Sequence, residues 1–435
     1  MKTQPVDSPS PAPRAASARR KHLVSLVLVL SASGCSSDAW AEIYPNLPDI
    51  FDPDNNPSEP DAPADPTEVS GPRIVTTHEG GALVLDGSSL AVVDEIPLEG
   101  FLRLNPAGDD RHVIVSTGEA FRFLDTGVTI DDHGDHAHYY AVPPELTDLT
   151  VSSQKPGHVT HNAGLTALFS DGSGIVELFD PTTLESGTTK FTTYTTAAPH
   201  HGLAVALALP EGGLLVTVGT EESRSGAAAL DAERQTTASS DECPGVHGET
   251  IAQGGVISLG CEDGALLYRD GAFHKAASPD AQGSIGSQVG STESPIVLGD
   301  YNTDHESELA RPEHVSLIDT QADSIRVVAL GASYSFRSLA RGPAGEAFVL
   351  GTDGAIHVID PQLGEVVDRI AVVAAWSEPA DWQEPRPALR VVGSKAYVTE
   401  PASSRIHLVD LGSGDVVRSV ELPYVPNEVS GAAGH

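Results

Sequence analysis

The feature that most constrains the fold of this chain is a repeated unit, in which a short apolar strand ends in aspartate and a polar turn leads to another strand. Two clear copies read Ile-His-Val-Ile-Asp at 356–360 and Ile-His-Leu-Val-Asp at 406–410. Seven intervals separate the first aspartate from the last, so the mean repeat is roughly 46 residues. The aspartates in this phase are Asp86, Asp125, Asp180, Asp231, Asp270, Asp319, Asp360 and Asp410.

This period predicts an all-β chain folded as a β-propeller, because a four-stranded blade takes about 40 to 50 residues. Eight copies predict eight blades. A count of seven also fits, since the copies that end at Asp231 and Asp270 are the weakest. The first copy lacks an innermost strand, and residues 426 to 432 resemble the run that starts other units. We therefore expect a C-terminal strand to close the ring and to remove an exposed sheet edge.

The first 71 residues predict export and tethering. Residues 1 to 35 combine basic residues, a short apolar run and the lipobox-like sequence Ala-Ser-Gly-Cys, which predicts a lipoprotein signal peptide with lipidation of Cys35. An ordinary secretion signal is the alternative. Residues 36 to 71 are rich in proline and acids and predict a disordered tether, which leaves residues 72 to 435 for the propeller. Further apolar runs are too short to span a bilayer, so we expect only a lipid anchor, at the outer face of the cell membrane or in the periplasm.

Charge and cysteine content narrow the classes of partner. The chain has 25 basic against 61 acidic residues, a net charge of −36, which disfavours nucleic acid and anionic phosphate substrates and concentrates cations. Beyond Cys35, the cysteines are Cys243 and Cys261. In an oxidising compartment such a pair most simply forms a disulfide, and a two-cysteine metal site is the alternative.

A first group of candidate zinc ligands lies at 131–138, where three imidazoles and three carboxylates occur within eight residues. This donor set suits Zn²⁺. Within its repeat the segment lies between the two outer strands. His136 and His138 are two residues apart and would point to one side of an extended chain, and His133 or Asp135 could complete the coordination. The alternative is a solvated polar loop.

A second group comprises His161, His200, His201 and His247, which precede glycines that align across three consecutive units, although His161 lies two residues farther from its glycine than His201 and His247 do from theirs. We predict that these histidines lie at the starts of innermost strands and converge at one mouth of the propeller channel. Glu249 is a candidate oxygen ligand, or an acceptor that orients a ring. The alternative for each histidine is a neutral ring that is hydrogen-bonded in a polar channel.

Other histidines carry weaker expectations. His357 and His407 occupy equivalent positions in two copies of the repeat and are predicted to be structural. His305 lies in an acidic loop. The histidines for which the sequence suggests no partner are His78, His112, His158, His274 and His314.

Four phrases carry a family resemblance: Asp-His-Gly-Asp-His-Ala-His-Tyr-Tyr, Thr-His-Asn-Ala-Gly-Leu, His-His-Gly-Leu and Cys-Pro-Gly-Val-His-Gly-Glu. In this order they resemble the AztD family of periplasmic or surface zinc metallochaperones. The resemblance implies a β-propeller with zinc sites at the two histidine groups and no catalytic turnover. It also implies handover of zinc to the solute-binding protein of a zinc ABC importer. The lipobox departs from the family pattern and suggests a cell-surface scavenger, which we expect to be a monomer.

Two other functions remain open at this point. A metal-dependent hydrolase would need an open coordination position and a base, for which Glu249 is the candidate. An interaction scaffold would not depend on the histidines.

Overall fold

The computed structural model describes residues 66–133, 137–208, 212–304 and 309–434. These residues form an all-β structure with short 3-10 turns at Pro181–Thr183, Gln253–Gly255 and Pro401–Ser403. Within the described ranges, no helix has the length and apolar character needed to cross a membrane.

The described strands follow one another in many short hairpins. The first half of the chain contains β1 (Thr67–Val69), β2 (Arg73–His78), β3 (Gly81–Asp86), β4 (Val92–Pro97), β5 (Arg103–Pro106), β6 (His112–Ser116), β7 (Ala120–Asp125), β8 (Val128–Asp132), β9 (Ala137–Ala141), β10 (Glu145–Ser152), β11 (Pro156–Asn162), β12 (Leu165–Ser170), β13 (Ile175–Phe179), β14 (Thr192–Thr195), β15 (Ala204–Ala206), β16 (Leu214–Gly219), β17 (Arg224–Leu230) and β18 (Thr236–Ser240). The second half contains β19 (His247–Ala252), β20 (Val256–Cys261), β21 (Gly264–Arg269), β22 (Ala272–Ala277), β23 (Gln288–Ser291), β24 (Ser294–Tyr301), β25 (His314–Asp319), β26 (Ser324–Ala329), β27 (Tyr334–Arg341), β28 (Ala347–Gly351), β29 (Ala355–Asp360), β30 (Glu365–Ala371), β31 (Leu389–Val392), β32 (Lys395–Glu400), β33 (Arg405–Asp410), β34 (Asp415–Glu421) and β35 (Val429–Ala432).

These strands form eight four-stranded antiparallel sheets and one three-stranded sheet within the described ranges. Sheet 1 contains β35, β2, β3 and β4, and sheet 2 contains β5, β6, β7 and β10. Sheets 3 to 8 each take four consecutive strands, from β11–β14 through to β31–β34. The three-stranded sheet joins β1 to the hairpin β8–β9, which is inserted between the third and fourth strands of sheet 2. This arrangement is consistent with a propeller-like fold.

The repeat matches the sheets one to one. Each of its eight aspartates is the last residue of the third strand of a sheet or the residue that follows it. The two weakest copies, at Asp231 and Asp270, follow β17 and β21 in this same way. The aspartates therefore mark the turn between the third and fourth strands, where carboxylates such as those of Asp360 and Asp410 accept backbone N–H groups.

Apolar clusters join each sheet to the next one. One cluster lies between sheets 1 and 2, another between sheets 2 and 3, and the series continues through sheet 8. The eighth cluster joins sheet 8 back to sheet 1, where Tyr397 and Ile406 pack with Ile74 and Leu83. Each fully buried aliphatic side chain of this kind contributes about 1.5 to 3 kcal/mol, so the interfaces between sheets hold the fold together.

The first strands of neighbouring sheets run side by side in the same direction. Side chains of Thr160 and Asn162 in β11 donate to the carbonyls of Ala204 and Ala206 in β15. Both bonds join residues that are 44 positions apart in the sequence, and a constant separation of this kind means that the two strands are parallel. The contacts between β19 and β23 have the same pattern. The starts of these first strands consequently lie at one end of the sheets, and the third strands end at the other.

Both chain ends of the described domain are paired. The C-terminal strand β35 pairs with β2 from Arg73–Ala432 to Thr76–Val429, which is the pairing that the sequence predicts. At the other end, β1 pairs with β9. The last residues of the predicted tether segment, 36 to 71, therefore contribute a strand to the three-stranded sheet.

Candidate metal centre

Three histidines from consecutive sheets meet at the starts of their first strands. His158 lies in β11, His201 precedes β15 by three residues, and His247 opens β19. The ring centroids are 5.2 Å apart for His158 and His201, 5.3 Å for His158 and His247, and 5.0 Å for His201 and His247. One ring nitrogen of each residue lies within 4.8 Å of those of the other two. We call this group the histidine triad.

Each triad ring has an oxygen atom within 3 Å of its Nδ1. Nδ1 of His201 lies 2.5 Å from Oδ2 of Asp171, and Nδ1 of His247 donates to the carbonyl of Gly286 at 2.8 Å. Nδ1 of His158 lies 2.9 Å from Oε2 of Glu249, as in the predicted orienting role of that residue. That oxygen is buried and makes no hydrogen bond of good geometry to a described residue, so the contact is mainly electrostatic.

These contacts leave Nε2 of each ring as the nitrogen available for coordination. Zinc sites in proteins use this arrangement, in which an outer acceptor fixes the tautomer and raises the basicity of the coordinating nitrogen. In a tetrahedral zinc site the ligand nitrogens are about 3.4 Å apart, so modest side-chain rotation would bring the triad together.

Glycines beside the triad histidines make room for two of the acceptors. A Cβ at Gly157 would lie 2.2 Å from Oδ1 of Asp171, the residue that orients His201. A Cβ at Gly248 would lie 2.2 Å from the carbonyl oxygen of Gly286, and Gly248 has φ +69°, which favours glycine. The His-Gly pairing in the sequence therefore reflects a close backbone approach.

The electrostatics of the triad differ from ring to ring. Burial acts to lower the pKa of His158, but the charges of Glu249 and Asp171 outweigh it, so the pKa is raised. Burial, reinforced by His158 and His201, lowers the pKa of His247 to about 3. His247 is therefore neutral, the form that binds metal, over the physiological pH range.

The triad is accessible from outside. The His201 side chain is 46% exposed, whereas that of His158 is 21% exposed. A depression of about 340 Å³ lies beside His201 and is lined by Lys155, Asp171, His200, His201 and Glu221. An incoming metal or protein ligand can thus reach His201 first.

His161 does not belong to the triad, contrary to the predicted set. It lies near the end of β11 rather than before an innermost strand, and Asn162-Ala163-Gly164-Leu165 forms the turn into β12. Its Nδ1 donates to Thr166, and its ring packs against Gly108 of sheet 2. Burial lowers the pKa of His161. It points toward sheet 2, while Thr160 and Asn162 beside it face sheet 4.

His200 also lies outside the triad. The residue is 1% exposed, and both ring nitrogens are engaged. Nδ1 donates to the carbonyl of Ala198 at 2.9 Å, and Nε2 lies 2.9 Å from Oγ1 of Thr217. Its ring packs edge to face against Phe169. His200 is a buried structural residue that supports the segment carrying His201.

The hairpin β8–β9 brings two of the predicted loop histidines together. The ring centroids of His133 and His138 are 5.5 Å apart. Nε2 of His133 lies 3.4 Å from Asp131, and Nδ1 of His138 lies 3.3 Å from Glu68 in β1. These side chains are 40 to 67% exposed. The predicted ligands Asp135 and His136 lie outside the described residues, as does Cys35.

No protein-family model matches the chain. The sequence is 26% identical to the zinc chaperone AztD of Citrobacter koseri over 367 residues, which are 80% of this chain and 82% of that protein. The resemblance to AztD is confirmed.

The fold is also shared with AztD. The crystal structure of Citrobacter koseri AztD has a TM-score of 0.71 at 24% identity, and it covers 85% of this chain and 100% of that one. The apo AztD structure gives 0.70 at 23% identity with the same coverage. Dihydro-heme d1 dehydrogenase NirN in complex with DHE matches with a TM-score of 0.52 at 14% identity, over 87% of this chain and 78% of that one.

Two further predictions, which do not depend on the AztD resemblance, are confirmed. Cys243 and Cys261 form a disulfide between the segment before β19 and the end of β20. It fixes the chain four residues before His247. His357 and His407 are buried and paired with Asp353 and Glu400, as expected of structural residues.

The AztD-like phrases did not include His158, and sequence reasoning missed it. The signal was present in Pro156-Gly157-His158, where a glycine adjoins a histidine near the start of a unit, as in His201-Gly202 and His247-Gly248. The more conspicuous Thr-His-Asn-Ala-Gly phrase contains a turn glycine, Gly164, with φ +74°. Because Gly164 was matched to Gly202 and Gly248, the sequence pattern pointed to His161 instead of His158.

Proposed function

We propose that the protein is an extracytoplasmic zinc metallochaperone that binds Zn²⁺ with Nε2 of His158, His201 and His247. The observation that carries this proposal is the convergence of three imidazoles from three separate sheets, each with an oxygen atom within 3 Å of Nδ1. The likeness to a protein named zinc chaperone supports zinc as the cargo. A group of three histidines without a thiolate favours Zn²⁺ over softer ions.

The fold that we propose is a closed eight-bladed β-propeller, with β35 sealing the ring. The series of eight apolar clusters that returns from sheet 8 to sheet 1 supports this closure. The parallel, adjacent first strands would then line a central channel, with the triad at its mouth. We place the start of this domain at residue 66, after a signal peptide over residues 1 to 35 and an acidic tether.

The hairpin histidines His133, His136 and His138, with Asp135, would form a second, exchangeable zinc site. The hairpin follows β7, the third strand of sheet 2, and third strands end opposite to the starts of the first strands, where the triad lies. The zinc recipient would be the solute-binding protein of a zinc ABC importer. Lipidation of Cys35 would hold the chaperone at the outer face of the cell membrane or in the periplasm.

A hydrolytic function is less well supported by the same geometry. Three histidine ligands with an open position also occur in catalytic zinc sites. However, Glu249, the candidate base, is engaged with His158. A chaperone needs the open position as well, because an incoming ligand must displace an outgoing one.

Titration calorimetry of the metal-free protein with ZnCl₂ tests the proposal. We expect binding tighter than micromolar, and we expect replacement of all three triad histidines by alanine to abolish the tight phase. An unchanged tight phase would rule out the triad as the zinc site. Metal-stimulated ester or lactone hydrolysis that Glu249→Ala abolishes would instead support the hydrolase.

A further inference from the structure

The three-stranded sheet collects metal-binding side chains on one of its two faces. Side chains two residues apart in a strand lie on the same face, so Asp131 in β8 shares a face with His133, which follows that strand. In β9, His138 lies opposite Asp131, and Tyr140 of the same face lies opposite Glu68 in β1. We call the side chains of Glu68, Asp131, His133 and His138 the ligand face.

The side chains of the ligand face form a continuous series of contacts. Nε2 of His133 lies 3.4 Å from Oδ2 of Asp131, and the ring centroids of His133 and His138 are 5.5 Å apart. Nδ1 of His138 lies 3.3 Å from Oε1 of Glu68, which precedes it by 70 residues. Imidazole and carboxylate together suit Zn²⁺. Glu68, from the segment that the sequence predicts to be a tether, thus joins the hairpin histidines.

The opposite face of this sheet packs on the domain. Ile130, Tyr139 and Val69 are paired across the three strands and share that face. A Cβ at Gly434 would lie 2.9 Å from Cβ of Ile130, so β8 rests against the C-terminal end of the chain. The ligand face is consequently turned to solvent, where its four side chains are 40 to 67% exposed.

Few interactions hold β1 in this sheet. The strand pairs with β9 at three positions, and two of its three residues are exposed. Two side-chain contacts add to the backbone pairing: Oγ1 of Thr67 donates to the carbonyl of Ala141 at 3.3 Å, and Glu68 contacts His138. A short exposed strand of this kind opens locally at a low cost in free energy, so a stronger contact at Glu68 would measurably stabilise it.

A carboxylate at Nδ1 of a zinc-bound imidazole acts on the metal through the ring. It fixes the tautomer in which Nε2 binds the metal and raises the basicity of that nitrogen. Glu68 has this relation to His138. Its side chain is 67% exposed, whereas those of Asp171 and Glu249 at the triad are 16% and 11% exposed. Such an exposed acceptor suits a site that exchanges its metal.

We infer that Glu68 is the positioning residue of the hairpin zinc site and that it couples zinc binding there to the attachment of β1. This inference rests on the proposed function. With zinc on Nε2 of His138, the hydrogen bond to Glu68 strengthens and fastens β1 to β9. By thermodynamic reciprocity, detachment of β1 removes the acceptor from His138 and lowers the zinc affinity by the same factor. The strand that follows the predicted tether therefore regulates an exchangeable zinc site.

Hydrogen–deuterium exchange of the full chain with and without ZnCl₂ tests this coupling. The variant His158→Ala/His201→Ala/His247→Ala is the background, so that zinc acts at the hairpin alone. We expect zinc to slow exchange of the β1 amides about tenfold, and we expect Glu68→Gln to abolish this slowing and to weaken zinc binding about tenfold. The control Thr67→Val removes the other side-chain contact of β1. It should speed exchange without zinc and keep the zinc-dependent slowing.

The other outcomes separate failure of the inference from failure of the zinc site. Unchanged β1 exchange, in a protein whose hairpin binds zinc by calorimetry, would overturn the coupling and leave the site standing. Equal loss of the slowing in Glu68→Gln and Thr67→Val would show that Glu68 is only structural. Equal slowing by MgCl₂ would assign the effect to charge screening and overturn the role of His138. Absence of zinc binding at the hairpin would remove the second site itself, whereas the triad is judged by titration of wild type.

Discussion

The histidine triad and the hairpin histidines have similar ring spacings but very different surroundings. The triad rings are 5.0 to 5.3 Å apart, and His133 and His138 are 5.5 Å apart. Triad residues come from three sheets that are joined by apolar clusters. The hairpin residues and their carboxylate neighbours are largely exposed and belong to one three-stranded sheet.

This difference teaches that orientation, rather than proximity alone, separates the two groups. Each triad ring has an oxygen atom within 3 Å of Nδ1. For His247 the support continues inward, since the N–H of Gly286 donates to Oδ1 of Asp300 at 2.7 Å. Pre-oriented ligands lose less conformational entropy when a metal binds. We therefore expect tight binding at the triad and weak, rapidly exchanging binding at the hairpin.

The largest expected effect is that of removing a triad ligand. His158→Ala should weaken the tight zinc-binding phase by more than 100-fold, which exceeds the 10- to 100-fold typical of losing an outer acceptor. His138→Ala should change that phase by less than about threefold because it lies in the other group. Calorimetry of both variants measures this contrast, and His161→Ala is the control from the same strand. A larger loss in His138→Ala or His161→Ala would reverse the ranking.

Removal of the disulfide should destabilise the triad region selectively. The Cys243–Cys261 bridge spans 18 residues and is worth about 3 kcal/mol in the chain-entropy model. The double variant Cys243→Ala/Cys261→Ala should unfold at lower denaturant concentration and bind zinc less tightly at the triad, while zinc exchange at the hairpin stays unchanged. A loss of similar size at both groups would show that the bridge acts globally.

Loss of an orienting acceptor should give an intermediate effect. Glu249→Gln keeps the size of the side chain but removes the charge beside His158, and we expect a 10- to 100-fold loss of zinc affinity. The matched control is Glu177→Gln, an exposed-strand carboxylate that is hydrogen-bonded to Thr193. Competition with a zinc-binding dye provides the measurement, and equal affinities for the two variants would argue against orientation as the cause.

The smallest expected effect concerns the inner support at Asp300. Burial raises the pKa of Asp300 from 3.8 to about 6. Because the pKa is higher in the folded state, the proton on Asp300 stabilises the fold. This stabilisation is complete below about pH 4 and is lost as the pH rises through about 6. Relative to Asp300→Asn, the wild-type free energy of unfolding should fall by on the order of 2 kcal/mol between pH 4 and 7. If denaturant titrations show that the unfolding free energies of wild type and Asp300→Asn change equally with pH, this prediction is contradicted.

The fold was largely predictable because its signals are local. The aspartates of the repeat recur at the ends of third strands, since that turn needs a short acceptor of backbone N–H groups. The pairing of the C-terminal strand with β2 was predictable because the first unit lacks a strand. The disulfide was predictable from two cysteines in a chain that its N-terminal sequence predicts to be exported.

The membership of the histidine triad was only partly predictable. His201 and His247 were predicted correctly to lie together, but His161 was chosen in place of His158. The side chains of a strand alternate between its two faces, so an error of phase at one glycine assigned a histidine that faces sheet 2. No sequence pattern indicated that Arg103 would lie within about 6 Å of the rings of Phe336 and Trp382.

By itself, the sequence determined an all-β chain built from repeated strand units, rich in imidazole and acid, with a cysteine pair able to bridge. Those properties depend on strand period, turn residues and composition, which act within a few tens of residues. Only the tertiary structure decided which histidines share one space and which side chain orients each of them. The reason is that parallel first strands from separate sheets bring His158, His201 and His247 together, at distances set by packing between sheets rather than by neighbours in the chain.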